Sequence, residues 1–487
     1  MRRTKIVCTI GPATSSEERL EQLMHAGMNV ARLNFSHGTQ PEHALVIERI
    51  RTISARLECA IAILQDLQGP KIRTGTLEGG RPVLLADGAT VTITTRAVVG
   101  NAETISTTYK QLPQDVKEGD RILLDDGLLE LRVLGSDETD IQCEVVHGGV
   151  LKEHKGVNLP GVAVSASALT EKDRDDLKFG VRHGVDYVAL SFVRRPEDIV
   201  EARALIRQLQ AEQGREQAQR RDASLPPSVP LIAKLEKPEA VARLDEILDV
   251  VDGVMVARGD LGVEMAPEKV PLIQKRIIAA CHDRGLPVIT ATQMLESMIT
   301  HPRPTRAEAS DVANAILDGT DALMLSAETA TGAYPLEAVQ MMVRIAQETE
   351  ADPRSARQPQ CQRLTPAHAV SHAARALAEQ ASVQAIVVFT RSGASAHLIS
   401  TDRPRTPILA YTPSEHAYRQ LALWWGVWPH RIDMGETTEE LIKHVDQRLQ
   451  EDKLISRGEH VVIMGGLPIA SEAQTNFVKL QSVGDDT

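Results

Sequence analysis

Short apolar runs alternate along the chain with longer stretches in which Leu, Ile and Val recur at helical spacing, and this alternation predicts a β/α rhythm. Lys5–Ile10 reads as a strand, Glu17–His25 as a helix stopped by Gly27, and Asn29–Phe35 as a second strand. Pro41–Leu57 follows as a helix and Cys59–Leu67 as a third strand, with Asp66 near its end. From Pro70 to Gly161 the texture changes. β-Branched runs such as Ala89–Thr94 lie between turn signals at Asp87-Gly88, Glu118-Gly119-Asp120 and Asp126-Gly127, and no helix is expected there. This predicts a small all-β module, hinged at Pro70 and Pro160-Gly161, inserted into the β/α series.

The rhythm then resumes. Helices are expected over Glu171–His183, Pro196–Gln210, the stretch between Glu236 and Asp252, Pro267–Asp283, and from the capping box Thr305-Arg306-Ala307-Glu308 to Leu317. Strands are expected at Asp186–Val193, Pro230–Ala233, Gly253–Ala257, Pro287–Ala291 and Ala322–Leu325. With the first three, these make eight strands, the number of a TIM (β/α)8 barrel, whose active site lies at the strand C-terminal ends. An insertion at the end of a barrel strand overhangs that rim as a lid. Pro335–Glu350 closes the barrel, Ala351–Pro366 reads as a linker, and a separate α/β domain follows. The expected units are 1–69 with 162–350 for the barrel, 70–161 for the lid and 351–487 for the C-terminal domain. The Gln/Arg-rich stretch 211–228 reads as an exposed extension without evident chemistry.

Charge is oddly placed in Ile232–Glu264. Lys234 and Glu236 stand where a buried strand should end, two apart and therefore on one face. Asp260 leaves the end of the next strand within Arg-Gly-Asp-Leu-Gly, where glycines let backbone amides approach an anion. Strands joined by a crossover of this length are parallel neighbours, so the three charges converge. Two carboxylates from adjacent strand ends suit Mg2+, and a lysine beside them supplies a point charge for a phosphate. Any single rim carboxylate is more often half of an ordinary salt bridge; three together favour the metal site. Arg32, Asn34 and Ser36 share a strand face, and an arginine there is costly to bury unless an anion meets it. His37, just beyond, reads equally well as a helix-capping surface residue. In the last domain Ala385–Phe389 runs into Thr390-Arg391-Ser392-Gly393-Ala394-Ser395-Ala396 and a helix, a small-residue turn of the kind that holds phosphate and also serves as a plain cap.

Composition narrows the class. The 487 residues carry a net charge of -12 without long acidic runs, and no basic stripe interleaved with aromatics, which argues against nucleic acid as the main partner. Cys8, Cys59, Cys143, Cys281 and Cys361 are odd in number and widely spaced, as expected of reduced residues in a cytoplasmic protein. The apolar run after Met1-Arg2-Arg3 is broken by Gly11 and Pro12, so no secretory signal is expected, and no run is long enough for a membrane span.

The chain resembles the pyruvate kinases along almost its whole length. The motifs that carry the likeness are Thr9-Ile10-Gly11-Pro12, Arg32 to Gly38, Lys155-Gly156-Val157-Asn158-Leu159-Pro160-Gly161, Val256 to Gly262, Ala291 to Met298 and Arg303 to Glu308, in the family's order. The resemblance implies a phosphotransferase of glycolysis that moves the phosphoryl group of phosphoenolpyruvate to ADP, giving pyruvate and ATP. It implies Mg2+ (or Mn2+) on Glu236 and Asp260, with Lys234 neutralising the phosphoryl group in transfer and Arg32 clamping it. The amides near Gly259 and Asp260, with the Thr292 hydroxyl, would hold the substrate carboxylate, Thr292 lying near the route by which the enolate is protonated. Asn34, Ser36, His37, Arg73 and Lys155 would line the nucleotide side. Thr390, Arg391, Ser392, Gly393 and Ser395 would take the phosphate of an allosteric effector, a phosphosugar or nucleotide, and the assembly would be a homotetramer without membrane or nucleic-acid partners.

One departure from the commonest family pattern carries its own expectation. Many members read Asp-Thr-Lys-Gly-Pro-Glu after the third strand and resemble one another in requiring K+; this chain reads Asp66-Leu67-Gln68-Gly69-Pro70-Lys71. Lys71 would supply the unit charge that K+ supplies elsewhere, so K+ is not expected to be required, although Asn34, Ser36 and Asp66 could still coordinate a monovalent ion. Two rival readings are a metal-dependent pyruvate-enolate lyase on the same barrel, which has no use for Arg73, Lys155 or the lid, and a non-catalytic sugar-phosphate sensor, which has no need of Lys234, Glu236, Asp260 and Thr292.

Overall fold

The computed structural model describes all residues except 163, 166, 219–227, 353–364, 434–436, 469–473 and 485–487. Eight parallel strands close a barrel: β1 (Lys5–Ile10), β2 (Val30–Asn34), β3 (Ala62–Asp66), β4 (Tyr187–Leu190), β5 (Leu231–Leu235), β6 (Gly253–Ala257), β7 (Val288–Ala291) and β8 (Ala322–Leu325). Each pairs with its sequence neighbour, and β8 returns to β1 with Lys5 opposite Ala322. Nearly every strand residue is buried on both faces, as a parallel sheet wrapped by helices requires.

Local signals stop and start the helices as expected. Glu17–Ala26 is capped by the Ser16 side chain and ended by Gly27 at φ 119°, and Thr305 with Glu308 forms the capping box of Arg306–Asp318. The crossover after β5 differs from the single helix expected. It is two short helices, Pro238–Ala242 and Leu244–Leu248, separated by Arg243, whose ψ of 27° is outside the helical range. The helix starting at Pro196 runs on to Ala218, well past Gln210, through residues of good helix propensity. The remainder of the Gln/Arg-rich stretch, most of the linker and Cys361 lie outside the described residues.

Between β3 and β4 the chain builds a six-stranded sheet and a two-stranded ribbon around their own apolar core. One short helix, Leu112–Asp115, occurs where none was expected; Pro113 in its first turn has no amide to leave unpaired. The C-terminal domain is a five-stranded sheet, four strands parallel and the last antiparallel, flanked by helices.

That domain seals the barrel's lower mouth. Ala422 and Leu423 belong to the same buried cluster as Val7, Leu64, Ile232 and Met324 inside the barrel. Arg403 pairs with Asp321 at 2.7 Å, and the wholly buried Asp186 takes Arg51 at 2.7 Å and Arg419 at 2.9 Å. Lys5 opens β1 from the same end; its Nζ donates to the Val427 carbonyl and lies 5.0 Å from the Trp428 ring centroid. Burial, then the charge of Arg2, pushes the Lys5 ammonium down to about 7 against the pull of Glu350. The unfolded chain therefore holds more protons than the native one from near pH 7 up to the ordinary lysine value, so this group makes stability rise with pH across that window. The Tm of Lys5→Met relative to the parent is expected to be more favourable at pH 6 than at pH 9. An equal difference at both pH values would show that Lys5 does not titrate there.

Candidate active site

The barrel register lines up the charged strand ends. Asn34 stands opposite Asp66, Asp66 opposite Ala189, Lys234 opposite Met255, and Ala257 opposite Ala291. From β2, Arg32 donates through Nε to Asp66 Oδ2 at 2.6 Å and through Nη1 to Thr9 Oγ1 at 2.9 Å. The other Asp66 oxygen, Oδ1, lies 3.1 Å from Lys234 Nζ, and Lys234 Nζ lies 2.9 Å from Glu236 Oε1. The rim thus carries a row of alternating charge, Arg32, Asp66, Lys234, Glu236, with Asp260 beyond it.

These groups set one another's ionisation. Burial alone would raise the Asp66 carboxyl, but Lys234 and Arg32 outweigh it and hold it below the ordinary value. Burial likewise opposes charge on Lys234, yet Asp66 and Glu236 hold its pKa above that of a free lysine. Both are therefore ionised at neutral pH. Glu236 goes the other way: burial and then the negative charge of Asp260 raise it, against the pull of Lys234. A buried carboxylate strained by its neighbour is stabilised by a divalent cation shared between the two, and their hard oxygens fit Mg2+ or Mn2+.

The turns that hold this row are strained. Ser191 Oγ accepts from Lys234 Nζ at 2.7 Å and donates to the Leu67 carbonyl at 2.7 Å. Phe192, at φ 55°, turns its N–H onto Glu236 Oε2 at 2.8 Å. Thr292 and Gln293 follow β7 at φ 69° and 53°. Non-glycine residues in this region cost of order 1 to 3 kcal/mol each and persist where surrounding structure demands them. Neither Ser191 nor Phe192 stood out in the sequence, since a neutral pair at the end of an apolar run carries no charge signal.

Asp260 leaves the end of β6 as expected, and the segment that carries it is helical. Arg258–Glu264 is a helix that starts directly at the strand end and has Asp260 in its first turn. Gly259 approaches Thr292 closely: its N–H donates to Thr292 Oγ1 at 2.8 Å, and a Cβ there would meet that oxygen at 3.3 Å. Thr292 Oγ1 in turn donates to the Ala291 carbonyl at 2.6 Å. Arg258, which sequence reasoning passed over, clamps the Thr292 carbonyl at 2.7 Å and Asp311 at 2.6 Å.

The remaining candidates lie on the β module and at the end of β2 with the turn after it. Arg73 bridges Gly156 through its backbone and donates from its guanidinium to the His154 carbonyl at 3.1 Å. Lys155 Nζ lies 2.8 Å from Asp125. Asn34 Oδ1 accepts the Ser36 N–H at 3.1 Å. His37 is exposed; partial burial and then the charges of Lys71, Arg73 and Arg32 depress its pKa, so three cations face this turn. Lys71, Asp126, Gly259, Asp260 and Thr292 line one cleft of about 880 Å3 between the barrel rim and the β module.

The turn Thr390–Ala396 is far along the chain from this rim. Thr390 Oγ1 accepts the Gly393 N–H at 2.9 Å, with Gly393 at φ 93°, and Arg391 and Ser392 are exposed. Ser395 turns inward, 2.7 Å from Thr475 Oγ1. Among the described residues no helix is long and apolar enough to cross a membrane.

Comparison with known proteins agrees with this fold. Residues 1–339 match the family model of the pyruvate kinase barrel domain, and residues 368–481 that of the pyruvate kinase alpha/beta domain. The pyruvate kinase of Staphylococcus saprophyticus is 48% identical over 494 aligned positions, covering 100% of this chain and 81% of the relative. That of Geobacillus stearothermophilus is 47% identical, covering 99% and 81%. The crystal structure of a pyruvate kinase from Cryptosporidium parvum superposes with a TM-score of 0.89 at 37% identity, over 99% of this chain and 96% of that one. A closed eight-stranded barrel with a charged rim, an inserted β module and a C-terminal α/β domain, matched along its length by these relatives, makes the chain a member of the pyruvate kinase family.

Proposed function

We propose a division of labour on this rim for the family's reaction, in which the phosphoryl group of phosphoenolpyruvate passes to ADP and leaves pyruvate and ATP. The observation that carries it is the row Arg32, Asp66, Lys234, Glu236, with two cations paired to a buried carboxylate where the barrel opens into the cleft. Phosphoryl transfer needs little covalent chemistry and much positioned positive charge. Arg32 and Lys234 bind the phosphoryl group, and Lys234 meets the charge that develops on it. Glu236 and Asp260 would hold the divalent cation, which would supply positive charge against the phosphate. The Thr292 hydroxyl and the amides at Gly259 and Asp260 receive the substrate carboxylate; the Gly259 N–H now given to Thr292 is released to it. Thr292 then stands beside the enolate that is to be protonated. Arg73, Lys155, His37, Asn34 and Ser36 face the nucleotide across the cleft.

The three units, 1–69 with 162–350, 70–161 and 351–487, serve as catalytic barrel, lid and regulatory domain of a cytoplasmic homotetramer. The test of the whole assignment is a coupled assay for ATP formed from phosphoenolpyruvate and ADP, in which a lyase or a sensor would give none. The turn with Thr390, Arg391, Ser392, Gly393 and Ser395 takes the phosphate of an effector, a phosphosugar or nucleotide. Ser392 is the exposed hydroxyl of that turn, so Ser392→Asp is expected to weaken activation by phosphorylated effectors about tenfold or more through charge repulsion, with basal kinetics unchanged. Unaltered activation across a panel of phosphosugars and nucleotides would move the pocket elsewhere.

A further inference from the structure

We propose that Glu264 is a positioning residue that pins the base of the inserted β module to the helix carrying Asp260. Glu264 is 5% exposed, and its Oε1 accepts from two segments at once. Asn158 Nδ2 donates to it at 2.9 Å from the module, and Lys237 Nζ lies 2.6 Å from it on the barrel side. Asn158 ends the short strand Val157–Asn158, paired to Leu123 and Leu124, two residues before Pro160-Gly161 returns the chain to the barrel. Lys237 follows Glu236 directly and lies 5.7 Å from the centroid of the Phe192 ring, whose residue gives its N–H to Glu236. Glu264 is four residues beyond Asp260 on Arg258–Glu264, so both carboxylates project from one side of that helix. A single buried oxygen therefore joins the hinge of the module to both proposed cation ligands.

The chemistry explains why the joint is firm. A buried carboxylate that loses Lys237 keeps an uncompensated charge, and one that loses Asn158 gives up a hydrogen bond to that charge, so both the barrel and the hinge contribute to the joint. The module cannot tilt away from the rim at this point without breaking the Asn158 bond, and Asp260 cannot shift without dragging Glu264. The angle of the lid and the placement of the cation ligand are thereby set together. In Asn158→Ala the helix that carries Gly259 and Asp260 stays held by Lys237, so phosphoenolpyruvate binding changes less than nucleotide binding.

The inference rests on the reading that Arg73 and Lys155 face the nucleotide and that Glu236 and Asp260 hold the cation. The experiment uses the full chain with Asn158→Ala and Lys237→Met, singly and together, measuring both Michaelis constants, Mg2+ activation and amide exchange over residues 157–162. Loss of a hydrogen bond to a buried charge predicts an ADP KM raised about fivefold in Asn158→Ala, phosphoenolpyruvate KM changed by less than about twofold, and faster exchange of the hinge amides. Lys237→Met is expected to raise the Mg2+ requirement by a similar factor, with the double variant showing less than the product of the two because they share one carboxylate. Unchanged hinge exchange in Asn158→Ala, or fully multiplicative effects in the double variant, overturns the pin. Lys155→Ala separates the two levels: if it leaves the ADP KM unchanged, the nucleotide reading falls, while hinge exchange still decides for or against Glu264.

Discussion

Lys234→Met is expected to lower kcat for ATP formation by about 10²-fold or more, the usual cost of removing a group that acts on charge developing in the transition state. Methionine keeps the length and apolar stem of the side chain and deletes the ammonium. The deletion acts twice. The phosphoryl group in transfer loses a cation, and Asp66 and Glu236, both nearly fully buried, lose the charge 3.1 and 2.9 Å away that keeps them compensated. Breaking a buried ion pair from one side commonly costs about 3 to 5 kcal/mol, so a fall in Tm should accompany the kinetic loss. Lys234→Arg separates the two effects. It restores charge and with it most of the stability, but a planar fork does not reproduce a point charge held by Ser191 Oγ, so kcat should stay well below the parent's. Near-normal ATP synthesis by folded Lys234→Met would refute the assignment.

Activity with Mg2+ is expected to be nearly independent of K+, and Lys71→Glu to create a K+ requirement of about tenfold or more, roughly 1.4 kcal/mol in barrier. Lys71 is exposed at the neck between β3 and the β module and lines the cleft with Asp126 and Asp260. Its charge reaches the turn after β2, where it contributes to the depressed pKa of His37. Asp66 has both oxygens engaged by Arg32 and Lys234, and the Asn34 side-chain oxygen accepts from the Ser36 N–H, so two of the three side chains that a monovalent ion would use already have partners. A glutamate at position 71 would face the same cleft with opposite sign, next to a nucleotide and a phosphate, and call for an added cation. The measurement is kcat in tetramethylammonium buffer with and without KCl. A drop of about tenfold in the parent on removing K+ would sink the idea.

The charges on the rim were legible because a buried parallel strand has no reason to end in Lys-Leu-Glu unless something meets those groups, and a period of two puts them on one face. The eight strands were legible for a related reason: doubly buried strands are continuous apolar runs bounded by turn residues. What the sequence hid is relational. Asp66 pointed to an ion ligand by analogy, yet the structure engages it with two side chains from other strands. The glycines around Asp260 were read as room for an anion, and the structure adds that Gly259 lies at the start of a helix and close against Thr292. Glu264 and Asn158 meet across 106 residues of chain, a separation that no local pattern encodes.

The stopper at the lower mouth of the barrel bears on how this protein can be cut or recombined. Leu423 is wholly buried among barrel residues, and burying a leucine is worth about 1.5 to 3 kcal/mol. A barrel expressed without residues beyond 351 would present Val7, Leu64 and Ile232 through an uncorked end and leave Asp186 and Asp321 without Arg419 and Arg403. Such a fragment is a candidate for aggregation rather than a minimal enzyme. Swapping regulatory domains between relatives would have to carry the cork along with the cassette.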